Sequence, residues 1–328
     1  MSSDTGTETE TSRPSRSGLS DSASSGPGPT PPDTPTGLLT GSDLEYEHLK
    51  NRLFHGVLVA ASLFGVVMLA LLVLDVATDF YVGLTTYEVS LVDFVTRDGS
   101  QQAELAGFRG AIVASVILML LTTILSFVVG VGTAIYLEEY APDNRITRLI
   151  EANLANLAGV PSIVYGLLAL AAFVNGIGLG PILLAGSIGL GLLVMPIIIV
   201  SSQEALRAVP DGVRNGSYAT GATEWQTIRQ VVLPAAMPGI LTGTILALAR
   251  AIGETAPLIM VGALFTNRLP LGPFDRFSAM PTQIYIWAQQ PSQHFVHLAA
   301  VGIVVLLAFM LTMNAIALVL RSRYETEY

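Results

Sequence analysis

An all-α membrane protein with six transmembrane helices is the fold class this sequence predicts, and three observations carry the prediction. Of 328 residues, 51% are hydrophobic and only 12% charged, against about 25% charged in a soluble domain. Six apolar segments, each near the ~20 residues that cross a bilayer, follow one another along the chain. Between the fourth and fifth lies a polar stretch punctuated like a pair of short helices rather than a simple loop.

Residues 1–44 are mostly Ser, Thr, Gly, Pro and acidic residues with no apolar period. Such a composition cannot bury enough surface to offset chain entropy, so it reads as a disordered, solvated cytoplasmic tail. No charged-then-apolar pattern with a cleavage site follows Met1, so the tail does not read as a signal peptide. The transmembrane domain occupies 45–328, with spans near 56–74, 111–136, 157–174, 182–200, 238–265 and 298–320. With the N-terminus inside, eleven Arg and Lys residues fall on the inner side and four on the outer. The positive-inside rule then makes this a multi-pass cell-membrane protein with both termini cytoplasmic. The polar stretch before the fifth span lies on the same side. The outer loop over 78–110 is acidic and reads as solvated, with contact to an extracellular protein as the alternative. Within it, 90–96 has the pattern of a short amphipathic helix on the membrane.

The net charge of −9 comes with fifteen arginines and a single lysine, Lys50. Acidic, lysine-poor composition suits a halophile's screened cytoplasm. Lys50 lies between Leu49 and Asn51, so it belongs to no phosphate-binding Gly-x-x-x-x-Gly-Lys-Ser/Thr loop. Any ATPase that drives this protein is a separate chain. There is no cysteine, and the four histidines form no metal-ligand pattern with carboxylates. The chain calls for no cofactor or metal, has no catalytic set, and shows no nucleic-acid signature.

The polar stretch 210–234 reads PDGVRNGSYATGATEWQTIRQVVLP. Asp211 is placed to cap a first helix and Gly221 to break it. Thr223 and Gln226 have capping-box spacing for a second helix through Val232, which Pro234 ends. Two uses fit such a knob equally: docking a soluble partner with Trp225 as anchor, or resting on lipid headgroups with Trp225 at the interface.

In the fifth span Arg250 and Glu254 lie four residues apart, on one helix face. A charged side chain at mid-membrane costs about 2.5–3.5 kcal/mol on insertion scales. Lining a solute or ion path is the default role for such residues; an ion-pair clamp between helices is the alternative.

The spacing from Gly221 through nine residues to Val231-Val232-Leu233-Pro234 resembles the EAA loop of ABC importer permeases, which docks the ATPase. Asn215-Gly216-Ser217 stand where that family has Glu-Ala-Ala, and Glu224 is the nearest downstream carboxylate. Residues 249–258, ARAIGETAPL, are similar to the signature of PstA-type phosphate ABC transporter permeases. Residues 157–166, LAGVPSIVYG, resemble that group's third-span motif. The resemblance implies a type I ABC importer permease architecture with a cytoplasmic coupling loop, forming half of a heterodimeric pore for phosphate. It implies three partners besides the lipid bilayer: a PstC-like sister permease, a PstB-like ATPase dimer and an extracellular PstS-like phosphate-binding protein. Arg250, Glu254 and Thr255 would belong to the substrate pathway. Asn215, Gly216, Ser217, Gly221, Ala222, Thr223, Glu224, Trp225, Leu233 and Pro234 would form the ATPase-docking loop. The nearest alternatives are a permease for sulfate, molybdate or tungstate, and a PstC-type sister chain. A secondary transporter or channel would be of a different class, and the single loop and single Arg–Glu pair lack the internal symmetry it predicts.

Overall fold

The computed structural model describes residues 41–86, 90–263, 266 and 268–326, and all regular structure among them is helical. Among the described residues five helices are long and apolar enough to cross a membrane, or six if one bent pair forms a single span.

The chain divides into two compact units, 1–65 and 66–328. In the first, the described residues begin a helix, α1 (Gly41–Thr85), whose apolar side chains Leu53, Phe54, Leu63 and Phe64 are exposed. Such a surface suits a helix surrounded by lipid, whose tails are as apolar as leucine. No proline interrupts the sequence from Gly41 to Thr85, so the helix continues past both ends of the apolar stretch. The last residues of the expected tail, 41–44, are therefore helical, and 1–40 lie outside the described residues.

The second unit continues through α2 (Leu91–Thr96), α3 (Arg109–Ile135), α4 (Arg145–Leu157), α5 (Ser162–Ala169), α6 (Leu183–Arg207), α7 (Asp211–Ala219), α8 (Glu224–Thr227), α9 (Leu233–Ile252), α10 (Ala256–Val261), α11 (Met280–Ala288) and α12 (Gln293–Thr326). Wider π turns follow α3, α5 and α8, at Tyr136–Tyr140, Leu170–Gly176 and Ile228–Val232. Helix α6 is the centre, packed by α3 on one side and α9 on another. Val194, Ile198, Ile199 and Leu206 of α6 meet Val131 and Ala134 of α3 and Ile240 and Ala247 of α9 in one core cluster. Lipid offers no hydrophobic drive for helices to associate, so small residues and interhelical hydrogen bonds do the joining. A Cβ on Gly239 would meet Ala205 Cβ at 2.7 Å, and one on Gly243 would overlap Ser201. Thr122 of α3 donates to the Ser187 carbonyl of α6 at 3.3 Å.

Two expected spans are not single helices. The third was placed at 157–174, but Leu157 ends α4, and α5 starts at Ser162 after a 107° bend. Pro161 disfavours helical geometry in the residue before it, and Tyr165 Oη closes the corner by donating to the Leu157 carbonyl at 2.7 Å. The fifth was placed at 238–265 as one helix, but it stops at Ile252 and resumes as the short α10. Pro257 has no N–H for the Gly253 carbonyl and would clash with it in a continuous helix.

The loop over 78–110, expected outside, is also more structured than a solvated excursion. Ser90 caps α2, and Phe94 lies fully buried, stacked on Phe108 at 5.2 Å between ring centres. Trp287 of α11 completes the aromatic cluster, 5.5 Å from Phe108.

Candidate functional site

Arg250 sits in the last turn of α9, and Glu254 lies just beyond it, in the break before α10. Their expected position on one face of an unbroken helix is thus replaced by a bridge across a helix end. The two still meet, Arg250 Nε to Glu254 Oε1, at 3.5 Å. That is the outer limit for a hydrogen bond, and 48% of the Arg250 side chain is exposed against 18% for Glu254. The guanidinium therefore keeps most of its donor fork free, and such a planar fork matches two oxygens of a tetrahedral oxyanion. Thr255 occupies the cap position of α10 without a capping side-chain bond.

What fixes this break is the segment 157–166. A Cβ on Gly166 of α5 would lie 2.6 Å from Pro257 Cα and 2.9 Å from Met260 Cβ, so α10 rests directly on α5 where the glycine has no side chain. Leu258 of α10 and Tyr165 of α5 share a core cluster with Phe277. The two motifs singled out in the sequence, ninety-two residues apart, are one packing unit. Sequence reasoning found each but had no means of joining them.

The polar stretch folds as two short helices. Pro210, rather than Asp211, holds the cap position of α7, and Asp211 is its first residue. Asp211's carboxylate there still complements the positive end of the helix. Gly221 turns the chain at φ +85°, a conformation open to glycine. The capping box is present in both directions: Thr223 N–H donates to Gln226 Oε1 at 2.9 Å, and Gln226 N–H to Thr223 Oγ1 at 3.3 Å. Ser217 and Thr227 share a hydroxyl hydrogen bond of 2.9 Å that closes the hairpin. Asn215, Gly216, Gly221, Thr223 and Glu224 are exposed, and Ser217 and Ala222 half-buried. Trp225 is 57% exposed, and Val213 and Tyr218 of α7 are exposed too. Leu233 packs on the main core cluster. Pro234 does not end the second helix: it lies just after the wider π turn Ile228–Val232, and the helical path runs on from Glu224 to Ile252.

A set of charges that the sequence reading did not single out ties this loop to the bundle. Arg214 Nη1 donates to Glu139 Oε1 and Oε2 at 2.9 and 2.7 Å, and its Nη2 to the Leu206 carbonyl at 2.9 Å. Arg207 Nε donates to both oxygens of Glu138 at 2.8 Å. Its Nη2 reaches Glu151 Oε1 of α4 at 3.2 Å, which also accepts from Gln203 Nε2 at 3.2 Å. The usable signal was the adjacent acidic pair Glu138-Glu139 ending one span opposite the arginines ending another.

At the other end of α3, an open cavity of about 700 Å³ is lined by Gln101, Arg268, Phe274 and Arg276, among others.

Comparisons with known proteins agree with this architecture. Residues 127–326 match the family described as binding-protein-dependent transport system inner membrane component. The probable ABC transporter permease protein YqgI of Bacillus subtilis is 30% identical over 247 residues, 75% of this chain and 84% of that protein. The phosphate transport system permease protein PstA of Yersinia pestis is 30% identical over 276 residues, 83% of this chain and 90% of that one. Among solved structures, a bacterial ABC transporter involved in alginate import aligns with a TM-score of 0.58 at 13% identity, over 85% of this chain and 98% of its own. The inward-facing MetNI methionine ABC transporter aligns with a TM-score of 0.54 at 21% identity, over 66% and 94%. At such identities the structural likeness speaks for the fold alone, and it is the type I ABC importer permease fold. With its helices, its loop and its relatives in agreement, the chain belongs to the family of binding-protein-dependent transport system inner membrane components.

Proposed function

We propose that this chain is the PstA-type permease subunit of an ATP-driven phosphate importer. It forms half of the translocation pore beside a PstC-like sister, with ATP hydrolysed by a PstB-like dimer and phosphate delivered by a PstS-like protein outside. Residues 45–328 make up the permease domain, the first 44 residues are a passive tail, and both termini are cytoplasmic. The observation that carries the reading is the Arg250–Glu254 pair at the break of the fifth span, in a chain whose relatives include PstA permeases.

Transport then needs no covalent chemistry from this chain. The half-exposed Arg250 fork attracts the anion. Glu254, at the edge of hydrogen-bonding distance, tempers that attraction so that the anion can leave. Phosphate keeps a proton at neutral pH that a carboxylate can accept, whereas sulfate has none to offer, so the pair favours phosphate. The exposed face of α7 and α8, led by Trp225, receives the ATPase, whose closure switches the pore from inward- to outward-facing.

The test is uptake of radiolabelled phosphate at low external concentration, with and without this gene, under excess sulfate and in a host lacking other phosphate uptake. Loss of sulfate-insensitive, ATP-dependent uptake on deletion is the expected result. Unchanged uptake would reject phosphate as the substrate.

A further inference from the structure

We infer that the Arg214–Glu139 ion pair is a positioning strut that carries displacement of the docking loop directly into α3. The inference rests on the reading of α7 and α8 as the ATPase-docking element.

The covalent path from α7 leads back through Ala208–Pro210 to α6. Arg214 adds a second, non-covalent path. One guanidinium nitrogen grips both oxygens of Glu139, and the other grips the Leu206 carbonyl at the end of α6. The pair is well shielded, with side-chain exposure of 18% for Arg214 and 7% for Glu139. A shielded bidentate pair holds two elements at fixed separation, because parting them leaves each charge without compensation in a dry environment. Glu139 belongs to the π turn Tyr136–Tyr140 that continues α3, and in a helix neighbouring side chains point in different directions. Glu138 thus serves Arg207 of α6, while Glu139 is free for Arg214 of α7.

Val213 and Tyr218 of α7 and Trp225 of α8 are exposed, whereas the Arg214 guanidinium is shielded where it meets Glu139 and the Leu206 carbonyl. A partner that displaces α7 therefore loads the contact of Arg214 with Glu139. Asn215 occupies the position where related loops carry a glutamate, so the neighbouring Arg214 is the residue of that turn left with a charge to transmit load.

The absence of cysteine makes the test direct. A thiol introduced by Thr255→Cys reports, through its labelling rate with a membrane-impermeant reagent, whether the helix break changes accessibility when ATP is added. The measurement uses the assembled complex of both permeases and the ATPase in proteoliposomes. In the Thr255→Cys background, Arg214→Ala or Glu139→Gln is expected to shrink the ATP-dependent change in labelling about fivefold or more, the low end of coupling between distant sites, while the ATPase still co-purifies. Arg214→Lys keeps the charge but cannot grip both acceptors, so it falls between. Arg214→Glu combined with Glu139→Arg is expected to recover at least half the response. A full response in either single variant would overturn the strut, as would a loss in both that the exchanged pair leaves uncorrected. Because the readout needs no phosphate, a failure of phosphate uptake would reject the substrate assignment and leave this result standing.

Discussion

Replacing Gly166 by alanine asks whether the seam between α5 and α10 sets the geometry of the broken fifth span. The added Cβ would lie 2.6 Å from Pro257 Cα and 2.9 Å from both Pro257 O and Met260 Cβ. Ordinary contact starts at 3.4 Å, so α10 must retreat by about 0.8 Å, and backbone atoms offer no rotamer to relieve the clash. Overpacking of this kind costs about 1–3 kcal/mol. The retreat also pulls on Glu254, three residues before Pro257, whose contact with Arg250 is already stretched to 3.5 Å. Misplacement near 1 Å in a positioned pair can cost up to about 100-fold in rate. The assay pairs thermal denaturation of the purified complex with phosphate uptake in vesicles. Gly166→Ala should lower the denaturation midpoint by several degrees and cut uptake about tenfold. Gly191→Ala is the control: a buried glycine of α6 whose Cβ would meet nothing within 4 Å, so neither quantity should fall. A Gly166→Ala complex with wild-type midpoint and uptake would refute the seam.

Exchanging the pair, Arg250→Glu with Glu254→Arg, should abolish phosphate uptake while the complex still assembles; full uptake would make the pair a structural clamp instead. Trp225→Ala should weaken ATPase association by at least about tenfold, as truncation of a hot-spot anchor does, read by co-purification against increasing salt. Gly243→Ala should destabilise the complex by about 1–3 kcal/mol through overlap with Ser201, and Ser201→Gly in the same chain should return most of the loss; a double variant as unstable as the single would exclude that contact as the cause. Deleting residues 1–40 should leave uptake unchanged, and lost uptake would give the tail a role.

Much of the fold was legible because hydropathy is a local property: helix occurs in each of the six apolar segments, and the Thr223–Gln226 capping box needs only four consecutive residues. The breaks were not legible. Membrane helices tolerate proline, since neighbours can satisfy the freed backbone groups, so Pro257 within an apolar run gave no clear stop. Pro161 reads from the sequence as a kink inside the third span, and only the fold makes it a corner between the polar α4 and the apolar α5. At the site, Arg250 and Glu254 announced themselves by their cost in a membrane. Glu139 and Arg214 did not, because ion pairs at span ends look like ordinary solvated charges until the fold brings positions 75 apart together. Asp211 was misread as a cap for a local reason: Pro210 adopts the extended cap geometry, at φ −60° and ψ 139°, and shifts the helix start by one residue.

The helix that begins in the docking loop does not end there. From Glu224 to Ile252 the chain is one helical rod of 29 residues, about 43 Å long at 1.5 Å per residue. Trp225 stands near one end and Arg250 near the other, while Glu254 lies past the first joint, on a segment seated against α5. Under the proposed docking role, a stroke applied at the tryptophan reaches the arginine along one helix, but reaches the glutamate only as far as α10 follows. Whatever α10 does not follow appears as a change in the gap between the two charges, so in the proposed importer the grip on the anion would loosen or tighten in step with the nucleotide cycle.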